Sequence, residues 1–92
     1  MKSVRVHVLI AGLVQGVNFR YSTKRMADSL GLKGWVRNFD DDKVEAVFEG
    51  TEDKVNQMLE WCERGPPSAR VDDVETEHSN YIGDFDRFEV IA

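Results

Sequence analysis

Gly12, Gly16 and Arg20 are spaced four apart, where an alternating apolar run gives way to a helical one. Their types suit the capture of an anion. A loop running from a strand into a helix N-terminus exposes backbone N–H groups that have no helical partners, beside the positive end of the helix dipole. Gly16 can adopt φ > 0, which lets successive N–H groups converge into a concave nest. Arg20 falls in or near the first helical turn. From there its guanidinium can close over the nest and match two phosphate oxygens at once, as a lysine cannot. Lys24, one turn further on, adds weaker positive potential. Taken singly, the same residues also fit a blander role, as turn glycines and a solvated surface charge.

The elements around this stretch bring in another residue. "SVRVHVLI" puts Val4, Val6, Val8 and Ile10 on one face and Arg5, His7 and Leu9 on the other, a strand with one side on a core. After a Gly12–Gly16 loop, Phe19, Thr23, Met26, Ala27 and Leu30 recur at helical spacing, and Gly31 is a natural stop. "KGWVRN" reads as a second strand, "DDDK" as a turn, and "VEAVFEG" as a third strand with Val44, Ala46 and Phe48 inward. Thr51 suits a helix N-cap, and Glu52 and Asp53 suit the positive end of that helix. Val55, Met58, Leu59 and Cys62 form its apolar stripe, and Gly65-Pro66 ends it. "RVDDVETEHS" is a strand with a bulge expected near Asp72-Asp73, and "RFEVI" is a final strand.

This order predicts an α+β, ferredoxin-like split β-α-β sandwich (βαββαβ), an antiparallel sheet with two helices on one face. An extra short strand near the end is compatible with it. Residues 1–92 are expected to form a single domain, with no linker, repeat or low-complexity segment. In such a fold the first and second strands run parallel and flank the third. The loop after strand one and the end of strand two therefore emerge at the same edge. Asn38 ends the second strand. Two strand spacings are about 10 Å, so its carboxamide and the long Arg20 side chain can reach one small ligand. By itself, Asn38 reads more simply as a turn asparagine.

The net charge of −5 is unevenly spread. Residues 1–38 carry seven basic residues against Asp28 alone, whereas residues 39–92 carry sixteen acidic residues and five basic ones. A local positive field inside an acidic chain suits a small anion better than a long polyanion, so no nucleic-acid partner is expected. No apolar run approaches the roughly 18 residues that span a bilayer, and alternation from the start leaves no signal peptide to expect. The single cysteine, Cys62, excludes an internal disulfide and is consistent with a cytoplasmic setting.

"GLVQGVNFR" (Gly12–Arg20), followed by "LGLKGWVRN" (Leu30–Asn38), resembles the signature pair of the acylphosphatase family. "GPPSARV" (Gly65–Val71) and the terminal "RFEVI" are similar to later landmarks of that family, so the resemblance runs nearly end to end. It implies hydrolysis of acyl phosphates to carboxylate and phosphate, without a metal; no cofactor and a monomer are expected. It carries the phosphate-binding, catalytic arginine onto Arg20 and the water-orienting asparagine onto Asn38. It makes the backbone of Gln15, Gly16, Val17, Asn18 and Phe19 the phosphate cradle. Three positions depart from the pattern. Leu13 stands where the family often has a basic residue, "DDDK" stands where a hairpin often has Asp-Gly, and Asn18 fills a variable slot where its side chain can cap the helix.

The chemistry agrees with the resemblance. Neither Arg20 nor Asn38 is a general acid or base near neutral pH. A phosphate ester expels an alkoxide and needs a proton or a metal. An acyl phosphate expels a carboxylate whose conjugate acid has a pKa of about 4, so it departs unprotonated. His7, His78 and Cys62 do not make a zinc site, and Asp40–Asp42 lack the spacing of a calcium loop. Trp35 and Trp61 read as core or core-edge residues, and Cys62 as an inert packing residue. Tyr21 and Ser22 have no partnered base and are not expected to act as nucleophiles. The rival readings are a phosphate-binding module without turnover, a ferredoxin-like RNA binder and a small-molecule regulatory domain. The RNA reading is opposed by the third strand, which lacks basic and paired aromatic residues.

Overall fold

Alternation puts the first strand, β1 (Ser3–Leu13), in the interior of the sheet: Val6, Val8 and Ile10 lose all contact with solvent. The structure, a computed structural model, describes residues 2–92. The chain continues as α1 (Phe19–Ser29), β2 (Lys33–Phe39), β3 (Lys43–Thr51), α2 (Glu52–Arg64), β4 (Arg70–Asn80) and β5 (Phe88–Val90). The strands lie in the order β4-β1-β3-β2-β5. Cross-strand register aligns Val6 with Phe48, Val8 with Ala46 and Ile10 with Val44, and on the other side Gly34 with Phe48 and Val36 with Ala46. These positions share the face on which the helices pack.

The sheet is mixed. β1, β3, β2 and β4 pair antiparallel, as expected, but β5 joins the free edge of β2 in parallel. The chain leaves β4 at one edge and must cross to the other. On the way the Ile82 and Gly83 amides donate to the Glu49 carboxylate at 3.0 and 3.2 Å, and Phe85 lies under the Arg5 guanidinium. Crossing in that direction delivers β5 in the same sense as β2. Glu49 is almost fully buried, and Arg5 supplies the opposite charge at 3.1 Å that a buried carboxylate requires.

α1 buries Phe19, Thr23 and Ala27, one residue per turn, and Thr23 satisfies its hydroxyl by donating to the Phe19 carbonyl at 2.8 Å. It ends in a Schellman turn. Gly31, at φ 71°, donates to Asp28, and Leu32 donates to Ala27 before entering the core. α2 buries Val55, Met58 and Cys62. Burial pushes the Cys62 thiol up to about 12, as an inert packing residue requires. Thr51 occupies the N-cap in extended backbone, but its hydroxyl makes no capping bond. The first amide of α2, on Glu52, instead donates to the Lys2 carbonyl at 2.9 Å.

β1 runs further than its alternation predicts and includes Gly12 and Leu13, so the loop begins at Val14. The bulge expected in β4 is present: register shifts opposite Ala11 and Gly12, leaving Asp72 as the extra residue. On the open face, Glu45 joins three strands, with its carboxylate 2.7 Å from His7 Nε2 and accepting from Arg37 Nε at 2.6 Å. Burial pushes the Glu45 carboxyl up, but the His7 and Arg37 hydrogen bonds outweigh this and hold it below its ordinary value.

Two outcomes are expected. Gly34 has φ 138°, and a Cβ there would stand 1.9 Å from the Val47 carbonyl oxygen. Gly34→Ala should therefore cost about 2 kcal/mol or more, read as a lowered urea midpoint. Glu45, depressed in the fold, contributes stability that is present above the ordinary carboxylate pKa and lost as pH falls through the lower folded value. Acid titration of Glu45→Gln should show a shallower loss of stability over that interval than the parent.

Candidate functional site

Where β1 ends, the chain must turn from the sheet onto the helix layer within a few residues. Gly16 at φ 73° and Asn18 at φ 64° make that turn, both in the left-handed region. Asparagine tolerates this conformation better than most side chains. Asn18 occupies the N-cap of α1, but its side chain, which could have capped the helix, makes no capping bond. Among the described residues, the amides from Gln15 to Tyr21 donate to no backbone carbonyl. The turn thus leaves a run of free donors at the positive end of α1.

Gly16, Asn18, Phe19, Arg20 and Asn38 border one cavity of about 190 Å³, together with Val14 and Tyr21. Arg20, in the first turn of α1, is half-buried and forms no ion pair among the described residues. Asn38 is exposed at the end of β2. Its register with Val44 places it on the helix face, two residues beyond buried Val36. The parallel arrangement of β1 and β2 around β3 is what brings these segments to one edge.

Gln15 and Val17 do not border the cavity. The Gln15 side chain turns to the β2–β3 hairpin, and Val17 packs on the core while its carbonyl accepts from Ser68 Oγ at 2.9 Å. Lys24 departs from expectation. Its Nζ is held by Asp28 Oδ2 at 3.0 Å and by the Phe88 carbonyl at 2.9 Å, which ties α1 to β5. Leu13 lies exposed at the end of β1 and adds no charge.

Ser68 is the contact that sequence reasoning passed over. It lies 51 residues from Val17, inside the "GPPSARV" block, and only the packing of α2 against α1 brings it there. That packing is close: the Phe19 and Trp61 rings stand 5.5 Å apart, and a Cβ on Gly65 would fall 2.4 Å from the Phe19 ring. Among the described residues, no three His, Cys, Asp or Glu side chains converge on a common point.

Comparison with known proteins points to one family. The acylphosphatase family model matches residues 6–90. An acylphosphatase of Trichormus variabilis is 59% identical over 80 residues, covering 87% of this chain and 79% of the relative. One from Syntrophobacter fumaroxidans is 51% identical over 90 residues, covering 98% of this chain and 93% of the relative. The crystal structure of acylphosphatase from Bacillus subtilis superposes with a TM-score of 0.92 at 34% identity, covering 97% of this chain and 99% of that one.

The Ser68 contact generates a test. Ser68→Ala removes the hydrogen bond that holds the Val17 carbonyl within the loop. If the loop is where phosphate binds, then at about 1 kcal/mol for such a bond inorganic phosphate should bind roughly fivefold more weakly by isothermal titration calorimetry.

Proposed function

This chain belongs to the acylphosphatase family and hydrolyses acyl phosphates, and we propose that it does so with Arg20, Asn38 and the backbone amides of Gln15 to Phe19. The supporting observation is the one cavity that Arg20 and Asn38 border together with Gly16, Asn18 and Phe19 of the amide run. The amides and the Arg20 guanidinium, which has no ion pair among the described residues, hold the phosphoryl oxygens and neutralise charge that grows in the transition state. The Asn38 carboxamide orients a water in line with the bond from phosphorus to the acyl oxygen.

In the step itself, the water oxygen bonds to phosphorus as the bond from phosphorus to the acyl oxygen breaks. The carboxylate leaves with the electron pair. One proton of the water passes to a phosphoryl oxygen, and the products are carboxylate and dihydrogen phosphate. No protein base is required, and neither Arg20 nor Asn38 is one. Because a carboxylate is a stable leaving anion, this apparatus favours mixed anhydrides over phosphomonoesters, and the reaction as proposed needs no metal.

The substrate is a small molecule. We read the enzyme as a cytoplasmic monomer that does not bind nucleic acid. The excess of acidic residues beyond residue 38 and the presence of a single cysteine, Cys62, support that reading. Among the described residues, no helix is long and apolar enough to cross a membrane.

The test is phosphate release from benzoyl phosphate in excess chelator. The parent should stay active. Arg20→Ala should lose on the order of 10³-fold or more in kcat/KM. Asn38→Ala should lose kcat with little change in phosphate affinity, since the water is bound productively only in the transition state. Activity abolished by chelator, or intact in Arg20→Ala, overturns the mechanism.

A further inference from the structure

Gln15 sits at the start of the amide run, but its side chain points away from the cavity. Both donors of its carboxamide are used on one target. Nε2 donates to the Asp40 carbonyl at 2.7 Å and to the Lys43 carbonyl at 2.8 Å. These two carbonyls flank the turn between β2 and β3. Asp40, which holds φ 54°, lies two residues beyond Asn38. Pairing between β1 and β3 stops at Ala11 opposite Lys43, and beyond it the Gly12 amide donates to Asp42 at 3.1 Å. From there the chain departs toward α1, and the Gln15 carboxamide joins it to the hairpin once more.

We propose that Gln15 is a positioning residue that fixes the distance between the amide cradle and the Asn38 carboxamide. The inference rests on the mechanism proposed above. The cradle and Arg20 follow β1, whereas Asn38 rides on the hairpin. In-line attack requires the water held by one to meet the phosphorus held by the other. An error of about 1 Å in such a placement can cost on the order of 100-fold in rate. A carboxamide suits the task because it offers two N–H donors to two carbonyls. A glutamate of the same shape offers none and would face both carbonyl oxygens with negative charge. Ser68 engages the cradle at the Val17 carbonyl and, among the described residues, its side chain hydrogen-bonds to no residue of the hairpin, so the two contacts should affect different steps.

The experiment measures kcat and the inhibition constant of inorganic phosphate for Gln15→Ala, Gln15→Met and Gln15→Glu, each in the parent and in Asn38→Ala. Circular dichroism melts accompany each variant. Gln15→Met keeps the side-chain length and apolar contacts without the donors, and supplies the measurement if the alanine or glutamate variant does not fold. In the parent background, loss of the donors should lower kcat roughly tenfold to 100-fold. Phosphate inhibition should change less than about threefold, because the cradle itself remains. In the Asn38→Ala background the same substitution should lower kcat by less than about twofold, because the group it positions has gone. Equal losses in the two backgrounds, unchanged kcat in folded Gln15→Met, or parallel weakening of phosphate binding would each overturn the proposal. If Asn38→Ala alone leaves kcat unchanged, the parent mechanism fails first and takes this inference with it. Additive losses with an impaired Asn38→Ala defeat only the role of Gln15.

Discussion

A run of main-chain amides without partners inside the fold is the feature on which the rest of this chain depends. A buried donor left unsatisfied costs about 1–3 kcal/mol, so a run of them is tolerable only where water or an anion can reach them. The β1–α1 junction meets that requirement by lying at the sheet edge, where Gly16 and Asn18 in left-handed backbone turn the amides outward. Side chains from elsewhere hold this shape. Ser68 engages the Val17 carbonyl from the α2–β4 loop, and Gln15 reaches the hairpin from within the loop. The core contributes from below, where Phe19 is held between Trp61 and the close approach of Gly65. Tertiary packing thereby keeps a local backbone conformation that propensity alone would not maintain.

The electrostatics follow from the same arrangement. Much of the positive charge in the first 38 residues is spent on structure: Arg5 on Glu49, Arg37 on Glu45, and Lys24 on Asp28 and a β5 carbonyl. Arg20 is left without an ion pair among the described residues, beside the free end of the α1 dipole. A guanidinium already satisfied by a carboxylate would have to be stripped of it before binding phosphate. In the mechanism proposed for Arg20, one left open meets the ligand without that competition. The site therefore needs little excess charge, which is compatible with an acidic chain and with exposed Leu13 at the cavity's edge of β1.

Much of this was legible in the sequence. Val4, Val6, Val8 and Ile10 gave the face of β1 through period-2 alternation, and Gly31 and Gly65 marked where the helices stop. The Gly16–Arg20 spacing and the end of "GWVRN" gave the two segments that meet at the cavity. Other features depend on coordinates that no local pattern encodes. The direction of β5 follows from the route of residues 81–87 past Glu49, a contact 33 and 34 residues distant in the chain. The extension of β1 to Leu13 depends on the bulge at Asp72 in the neighbouring strand. Lys24 read as a free cation because its partners, one turn away and on β5, appear only after packing. The Gln15 side chain was overshadowed by its own backbone, since the loop motif accounts for the residue without it.

The parity of β2 joins stability to chemistry. Arg37 and Asn38 are adjacent, so they must point to opposite faces, one toward Glu45 on the open side and the other toward the helix layer. A slip of one residue would exchange them, presenting a second cation to the cavity and removing the carboxamide. Two features oppose that slip. Gly34 lets β2 approach the Val47 carbonyl at a distance no side chain tolerates, so only glycine can occupy that register position. Glu45 accepts from Arg37 at 2.6 Å, which rewards the same register from the open face. Neither residue borders the cavity, yet both determine which side chain β2 delivers to it. The open face, with its ion pairs, thus sets the composition of a site on the opposite side of the sheet.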